Sequence, residues 1–153
     1  MIPSRVFIDA NLFVLLVVGE TGKGLIPKHR RLRQFQVEDY ERLAQLVNEV
    51  DYVLVTPNTL TEASNLLAQH GEPERSRFFG VLRALIEKSE EVVVASEVAS
   101  RNSEFDRLGL TDAALLEAVS SSTPVVTTDF DLYWAASNRD PNSAFNFWHA
   151  KAW

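Results

Sequence analysis

Residues 5–18 read RVFIDANLFVLLVV, and this stretch decides the fold. Its first part, Arg5–Ile8, is a β-branched and aromatic run that predicts a short buried strand. The apolar run over residues 10–18 predicts a buried helix directly behind that strand. Asp9 separates the two runs. Because a carboxylate between two buried runs is costly unless it has a partner, Asp9 is the first candidate functional residue.

The same alternation of strand and helix continues along the chain. Five strands are predicted, at Arg5–Ile8, at Tyr52–Val55, and at residues 92–94, 124–127 and 145–148. Helical patterns lie between them, and such alternation indicates a parallel sheet with helices on both faces. We therefore predict the α/β fold class, with one domain over residues 1–153 and a mainly parallel five-stranded sheet.

Capping residues and apolar spacing predict where the helices begin. Thr56 and Pro57 are typical of a helix start, because Thr can cap the helix and Pro fits its first position. A further helix after Gly71 and Pro73 would form a helical hairpin with this one. The other predicted features are a helix over residues 40–50, caps at Ser96 and Thr111, and a short helix over residues 129–136.

The composition is that of a soluble globular protein, with 46% hydrophobic and 24% charged residues. The chain has no cysteine, which excludes disulfides and cysteine nucleophiles and fits a reducing cytoplasm. Asp9 and Asn11 interrupt the first apolar run, so we interpret it as core rather than as a signal peptide. No apolar stretch approaches the ~20 residues that cross a bilayer. We expect a cytoplasmic protein without membrane contact.

The net charge of −6 argues against a nucleic-acid partner, because phosphate binding usually requires clustered Lys and Arg. The charge is unevenly distributed, however. Residues 23–33, which we call the basic segment, contain no acid and five basic residues: Lys23, Lys28, Arg30, Arg31 and Arg33. Two interpretations remain open, a solvated loop or a surface whose Lys28, Arg30, Arg31 and Arg33 bind RNA phosphates.

Acidic residues recur where predicted strands end and helices begin. In an open parallel sheet, ligands bind at that edge. Clustered carboxylates need protons or cations to neutralise them, and oxygen-only ligation favours Mg²⁺ or Mn²⁺. Each Asp also has a simpler explanation, since Asp favours helix starts, and the three histidines are expected to be surface or packing residues. The candidate metal ligands are Asp9, Glu62, Asp112, Asp129 and Asp131.

At these acids the chain resembles the PIN-domain ribonucleases, a family that includes toxins of bacterial toxin-antitoxin pairs. Four motifs carry the resemblance, in the family's order: FIDANLF at residues 7–13, TPNTLTEASNLL at 56–67, LGLTDAALLEAV at 108–119 and VVTTDFDLY at 125–133. Asp9, Glu62 and Asp112 match the family's first three acids. Thr127 and Asp129 match the hydroxyl-then-acid pair of its closing strand. The resemblance covers roughly residues 5 to 148.

The resemblance implies that metal-activated water hydrolyses RNA and leaves a 5′-phosphate and a 3′-hydroxyl. Asp9, Asp112 and Asp129 would hold one Mg²⁺ or Mn²⁺ ion, and Glu62 and Asp131 would orient its water or help to hold a second ion. The remaining implied site residues, which would position ligands or phosphate, are Thr127 and Asn11. A toxin would also have a cognate antitoxin that covers the site, and many such proteins form homodimers through helices like those at residues 57–88.

Two other functions remain open. The spaced acids of FIDAN and TTDFD suggest a Mg²⁺-dependent phosphatase of the haloacid dehalogenase type, but the Lys and the paired acids that it needs are not evident. A non-catalytic RNA- or protein-binding module with the same fold would be favoured by loss of acids, and none of the motif acids is missing. The chain has no phosphate loop of the GxxxxGK type.

Overall fold

The strands form one parallel sheet in a computed structural model, which describes residues 3–149. They are β1 (Arg5–Ile8), β2 (Tyr52–Val55), β3 (Glu90–Glu91), β4 (Val125–Thr127) and β5 (Ala144–Asn146). Their order across the sheet is β3-β2-β1-β4-β5, and every neighbouring pair is parallel. The predicted α/β class and five-stranded sheet are confirmed.

Helices connect each strand to the next. They are α1 (Ala10–Thr21), α2 (Val37–Glu49), α3 (Pro57–Leu67), α4 (Glu74–Lys88), α5 (Ser96–Ala99), α6 (Phe105–Leu108), α7 (Leu110–Ala118) and α8 (Phe130–Arg139). The predicted hairpin is α3 and α4. As predicted, Thr56 caps α3, its Oγ1 accepting a hydrogen bond from the Thr59 N–H at 3.1 Å, and Pro57 is the first helical residue.

Alternation of side chains along the strands divides the core between the two faces of the sheet. Val6 and Ile8 of β1 belong to a core with residues of α1 to α4, whereas Phe7 packs with α7 and α8. In β4, Val126 belongs to the first core and Val125 to the second. The strands are therefore buried on both faces, which is why they read as continuous apolar runs.

The first core is centred on α1. Residues 12–19 of this helix are all buried, so α1 is apolar on every side. Gly19 lies against the Tyr40 ring of α2, and a Cβ at Gly19 would stand 2.0 Å from Tyr40 Cδ1. Only glycine permits this approach. Although α1 is apolar, none of the helices within residues 3–149 has the length and hydropathy needed to span a membrane.

The predicted third strand at residues 92–94 is wrong, because the strand lies earlier, at Glu90–Glu91. It pairs with the end of β2, where Val55 lies opposite Glu91. The Val92 N–H still donates to the Val55 carbonyl at 2.8 Å, but after Val55 the chain turns into α3. Three valines of high β propensity do not form a strand without a neighbouring strand to pair with.

Two predicted helix caps are also wrong. Ser96 is the first residue of α5 and follows the cap Ala95, while Thr111 is the second residue of α7, whose cap is Gly109. Gly109 has a φ of +89°, a conformation that L side chains rarely adopt. A special backbone conformation, rather than a hydroxyl, therefore begins α7. Asp112 lies in the first turn of α7, as predicted.

The fifth strand was predicted at residues 145–148, but it begins one residue earlier and ends two residues earlier. β5 pairs with β4 from Ala144 to Asn146, where Thr127 is the last residue of β4 that can pair. Asn146 Oδ1 then accepts a hydrogen bond from the Trp148 N–H at 2.9 Å, and Phe147–His149 forms a 3-10 helix. The length of β5 thus follows from the length of its partner strand.

We expect Gly109→Ala to lower the free energy of unfolding by about 1 to 3 kcal/mol, because φ +89° and ψ 178° suit only glycine. A Cβ there would meet no atom within 4 Å, so the effect is purely conformational. Gly80→Ala, in the exposed interior of α4, is the matched control and should stabilise by about 0.5 to 1 kcal/mol. Urea unfolding measures both, and unchanged stability of Gly109→Ala would contradict this conformation.

Candidate active site

The predicted acids lie at the carboxyl ends of the strands and in the helices that follow. Asp9 and Asp129 are the N-caps of α1 and α8, directly after β1 and shortly after β4. Asp112 lies in the first turn of α7, and Glu62 is in the second turn of α3. We call these four residues, together with Asp131 in the first turn of α8, the acidic edge.

The register of β1 and β4 brings Asp9 beside Thr127. Ile8 lies opposite Val126, so the next residues of the two strands stand at the same level of the sheet. The Thr127 hydroxyl donates a hydrogen bond to Asp9 Oδ2. The Thr128 N–H donates to the same oxygen at 3.1 Å. Asp9 is thereby held by donors from a segment far away in the sequence.

Both strand-end aspartates also accept hydrogen bonds from free backbone N–H groups in the first turns of helices. Asp9 Oδ1 accepts from the Leu12 N–H at 3.0 Å. Asp129 Oδ1 accepts from the Asp131 N–H at 2.9 Å and the Leu132 N–H at 3.1 Å. Helix capping is thus a true role of both residues. It does not account for Asp9 Oδ2, which accepts its hydrogen bonds from the β4 end.

The Thr127 hydroxyl connects the two strand ends. It donates to Asp9 and accepts a hydrogen bond from the Asp129 N–H at 2.9 Å. Thr127 is fully buried, so the orientation of its hydroxyl is set by these partners. Serine could make the same two hydrogen bonds, whereas valine has the shape but neither donates nor accepts. Thr127 therefore positions Asp9 and Asp129 relative to each other.

The acidic edge converges electrostatically on Asp112. Burial raises the pKa of Asp112 from its ordinary 3.8 to about 7, and the carboxylates of Asp129, Glu62, Asp9 and Asp131 all add to the increase. Four acids distant in sequence thus act on one side chain. With a pKa of about 7, Asp112 holds a proton about half of the time at neutral pH.

Little positive charge offsets these acids. Burial also raises the pKa of Asp9, against the opposing effect of its hydrogen bonds. Arg107 Nη1 lies 3.5 Å from Asp131 Oδ1, and this is the single ion pair that residues 3–149 form with the acidic edge. The fold therefore concentrates like charges and neutralises only one member directly.

The acidic edge fits a hydrated divalent cation in charge and in donor chemistry. Its donors are carboxylate oxygens, the class that Mg²⁺ and Mn²⁺ prefer. Among residues 3–149, no three His, Asp or Glu side chains are arranged to hold a metal ion as they stand. Mg²⁺ keeps several waters and commonly binds only one or two carboxylates directly. The acidic edge would therefore have to hold such an ion partly through the ion's water molecules.

Two further predicted site residues lie near Asp9 and Asp112. Asn11 is the second residue of α1, two positions after Asp9, and is partly buried. Glu62 is exposed, and its charge adds to the raised pKa of Asp112. The residues predicted from the four motifs are therefore brought to one edge of the sheet.

The basic segment lies elsewhere. It follows α1, whose 12 residues at about 1.5 Å each carry the chain about 18 Å from Asp9. Its two 3-10 helices, Lys23–Lys28 and Arg30–Leu32, are anchored by the buried Ile26 and Leu32, so the segment is not an irregular loop. The predicted RNA-binding residues, all exposed, are Lys28, Arg30, Arg31 and Arg33.

Two of the histidines pack against each other. The His29 and His70 rings are stacked with centroids 5.3 Å apart, and both contact Phe78. Burial lowers the pKa of His29 to about 4, and His70 and nearby arginines add to this effect. His149 is exposed near the end of the described chain. All three lie outside the acidic edge.

The sequence analysis missed Arg107 and the aromatic side chains beside it. Arg107 pairs with Asp131 and with Glu104, and its guanidinium lies 6.0 Å from the Trp134 ring centroid. A signal was present for the aromatic pair, because Phe130 and Trp134 are spaced one helical turn apart directly after an acid. Arg107 lies in a four-residue helix with no motif to mark it.

Comparison with known protein families gives no match to this chain. Comparison with functionally characterised proteins gives no match either. The resemblance to PIN-domain ribonucleases therefore rests on the four motifs and on the order of their acids along the chain.

Stability should depend on the ionisation of Asp112. Its pKa is raised from 3.8 to about 7, so the folded protein binds this proton more tightly than the unfolded chain. The resulting stabilisation is present below pH 3.8 and is lost as the pH rises to about 7, by at most about 1.4 kcal/mol per pH unit. In EDTA, Asp112→Asn should melt higher than wild type at pH 8, and the difference should be smaller at pH 5.

The control for this experiment is Asp106→Asn, which removes an exposed acid from the first turn of α6. We expect it to change the melting temperature little at either pH. Neutralising Asp112 also removes a favourable helix-start charge worth roughly 0.3 to 1 kcal/mol, which opposes the gain. If Asp112→Asn melts lower than wild type at pH 8, the favourable charge at the start of α7 dominates and Asp112 does not belong to a repulsive cluster.

Proposed function

We propose that the protein is a PIN-like endoribonuclease that uses Mg²⁺ or Mn²⁺ and acts as the toxin of a toxin-antitoxin pair in the cytoplasm. The observation that carries the proposal is the convergence of four carboxylates on the largely buried Asp112, whose pKa is raised to about 7 by burial and further by these carboxylates. Gathering like charges costs stability, and strongly perturbed acids in one place are typical of functional sites. The order of the four motifs supports this family of nuclease.

In this proposal Asp9, Asp112 and Asp129 hold one ion, while Glu62 and Asp131 hold its waters or a second ion. A bound ion lowers the pKa of a water molecule and stabilises negative charge on the phosphate. Hydrolysis would form a bond between a water oxygen and phosphorus and break the bond between phosphorus and the 3′ oxygen. The products are a 5′-phosphate and a 3′-hydroxyl, and the 3′ oxygen takes up a proton.

The chain's own groups would hold this arrangement in place. Thr127 fixes the orientation of Asp9 by donating to it, and the Thr128 N–H fixes the same oxygen. Asp112 must lose its proton before it can bind a cation, and a pKa of about 7 allows this near neutral pH. Asn11, in the first turn of α1, would contact a phosphate oxygen.

A non-catalytic RNA-binding module is the second candidate. It is favoured by one observation, namely that the acids of residues 3–149 are not arranged to hold an ion as they stand. The two functions differ in a simple readout, because such a module would bind RNA and leave its length unchanged with any metal.

Protein partners form part of the proposal. The hairpin of α3 and α4 carries a surface groove that includes Leu60, Phe79, Leu82 and the exposed Ile86. Such a groove suits the homodimer contact that the family resemblance implies. The antitoxin would cover the acidic edge, where a basic side chain could pair with the acids that Arg107 leaves unpaired.

The main test is cleavage of a mixed single-stranded RNA pool with Mg²⁺, with Mn²⁺ and with EDTA. Wild type should cleave with either metal and not with EDTA. Asp9→Asn keeps the shape of the side chain but removes its charge, so cleavage should fall by about 100-fold or more, the usual cost of losing one group that stabilises a transition state.

Asp51→Asn is the matched control, since Asp51 is exposed and precedes β2 at the opposite edge of the sheet. It should cleave like wild type. An Asp9→Asn protein as active as Asp51→Asn, or wild-type activity that survives EDTA, would sink the nuclease assignment. RNA binding without cleavage under every metal condition would select the non-catalytic module instead.

The basic segment should bind only longer RNA. It begins after α1, whose length of about 18 Å from Asp9 corresponds to about five nucleotides of stacked strand at about 3.4 Å each. We expect the triple change of Arg30, Arg31 and Arg33 to Ala to weaken binding of a longer strand. The salt slope, which is the slope of the logarithm of the binding constant against the logarithm of the salt concentration, should fall in magnitude by about 0.7 per lost phosphate contact. Binding of a three-nucleotide RNA should not change.

The control for charge alone is a triple change of the exposed Arg75, Arg83 and Arg101 to Ala, which alters net charge equally. Fluorescence anisotropy over a range of salt concentrations measures both variants. An equal loss of slope in the two variants would show that net charge decides binding. An unchanged slope after the first triple change would assign the basic segment to another role.

A further inference from the structure

Two large aromatic side chains are exposed beside the acidic edge. Phe130 and Trp134 of α8 are 65% and 50% exposed. Phe130 directly follows Asp129, and Trp134 lies one helical turn further on. Single exposed apolar residues are common on protein surfaces, but these two large rings are four residues apart and therefore lie on the same side of α8.

The core does not explain this aromatic pair. α8 already buries another side, through Leu132, Ala135 and Ala136. Successive helical residues turn by about 100°, so Phe130, Trp134 and Asp131 share one sector of about 100° on the outer side. α8 therefore presents two aromatic rings and one acid of the acidic edge on the same exposed surface.

Arg107 adds a positive charge to this surface. Its Nη1 lies 3.5 Å from Asp131 Oδ1, and its Nε donates to Glu104 Oε2 at 2.8 Å. The guanidinium carbon lies 6.0 Å from the centroid of the Trp134 ring, and the side chain remains 45% exposed. The carboxylates of Asp131 and Glu104 thus hold the Arg107 guanidinium between the acidic edge and the exposed Trp134 ring.

We propose that Phe130, Trp134 and Arg107 form a binding surface for an unpaired nucleotide of single-stranded RNA next to the phosphate that is cut. A base stacks on the aromatic rings, and Arg107 pairs with the adjoining phosphate. This inference rests on the proposed ribonuclease function and specifies its substrate as unpaired RNA. Stacking of bases on aromatic side chains, with arginine on the backbone, is a general mode of single-strand binding.

Three consequences follow from the chemistry of this surface. Duplex RNA should bind poorly, because its bases are stacked on each other and cannot lie on protein rings. Sequence preference should be weak, since every base has a π face. Arg107 would supply near the acids the positive charge that the distant basic segment does not.

The test measures binding separately from cleavage. In an Asp9→Asn background, fluorescence anisotropy follows binding of a single-stranded RNA of about eight nucleotides and of an abasic strand of the same length. Phe130→Leu and Trp134→Leu keep an apolar side chain and remove the aromatic ring. Each should weaken binding of the RNA by about 10-fold and leave binding of the abasic strand unchanged.

Tyr52→Leu is the matched control, because Tyr52 is 54% exposed at the start of β2, at the opposite edge of the sheet. It should bind RNA like the background protein. Arg107→Gln should weaken binding of both strands and lower the salt slope by about 0.7. Circular dichroism of each variant should match that of the background protein, since the changed side chains are exposed.

The outcomes separate this inference from the proposed function. If wild type cleaves RNA but the leucine variants bind it as the background protein does, the stacking surface is refuted and the nuclease stands. The aromatic pair would then be a contact for a protein partner. If wild type does not cleave RNA but the leucine variants lose affinity for it, the stacking surface stands as part of a non-catalytic RNA-binding protein. Equal losses for RNA and for the abasic strand would also overturn base stacking.

Discussion

The structure depends on how one buried carboxylate is satisfied. Asp9 lies between a buried strand and a buried helix, where an unpaired charge would be prohibitive. Its oxygens accept hydrogen bonds from the start of α1 and from the end of β4. These bonds connect β1 and α1 with the end of β4. Asp9, whose burial as an unpaired charge would cost the most free energy, therefore also holds two neighbouring strands together at the carboxyl edge of the sheet.

The remaining acids have no comparable structural role. Asp129 caps α8, but Glu62 and Asp131 are exposed, and burial, together with the neighbouring acids, shifts Asp112 toward its protonated form. A fold selected only for stability would place a neutral side chain at Asp112, since a helix start gains less from an acid than this cluster loses. The arrangement is reasonable if the acids serve a ligand that neutralises them, and costly otherwise.

Much of this arrangement could be predicted because it depends on local patterns and on one rule of topology. β1 and β2 have the predicted bounds, and acids placed after parallel strands meet at one edge. The predictions are wrong where the structure depends on a neighbouring strand or on a special backbone conformation, rather than on residue types nearby in the sequence. The valines at residues 92–94 lack a neighbouring strand, and α7 begins at Gly109 through a backbone conformation that Thr111 does not indicate. Arg107 of α6 pairs with Asp131 of α8, and no local sequence pattern reveals this contact between separate helices.

The net charge of −6 is a poor guide to binding because charges act locally. At physiological ionic strength the Debye length is about 8 Å, whereas α1, which is about 18 Å long, separates Asp9 from the start of the basic segment. The acidic edge therefore does not cancel the basic segment, and each region presents its own sign to a ligand. Near the acids themselves, an anionic strand would meet repulsion that a bound cation and Arg107 would have to overcome. Aromatic rings contribute attraction that does not depend on charge, which is why a surface such as Phe130 and Trp134 is most useful where the electrostatic field opposes an anionic ligand.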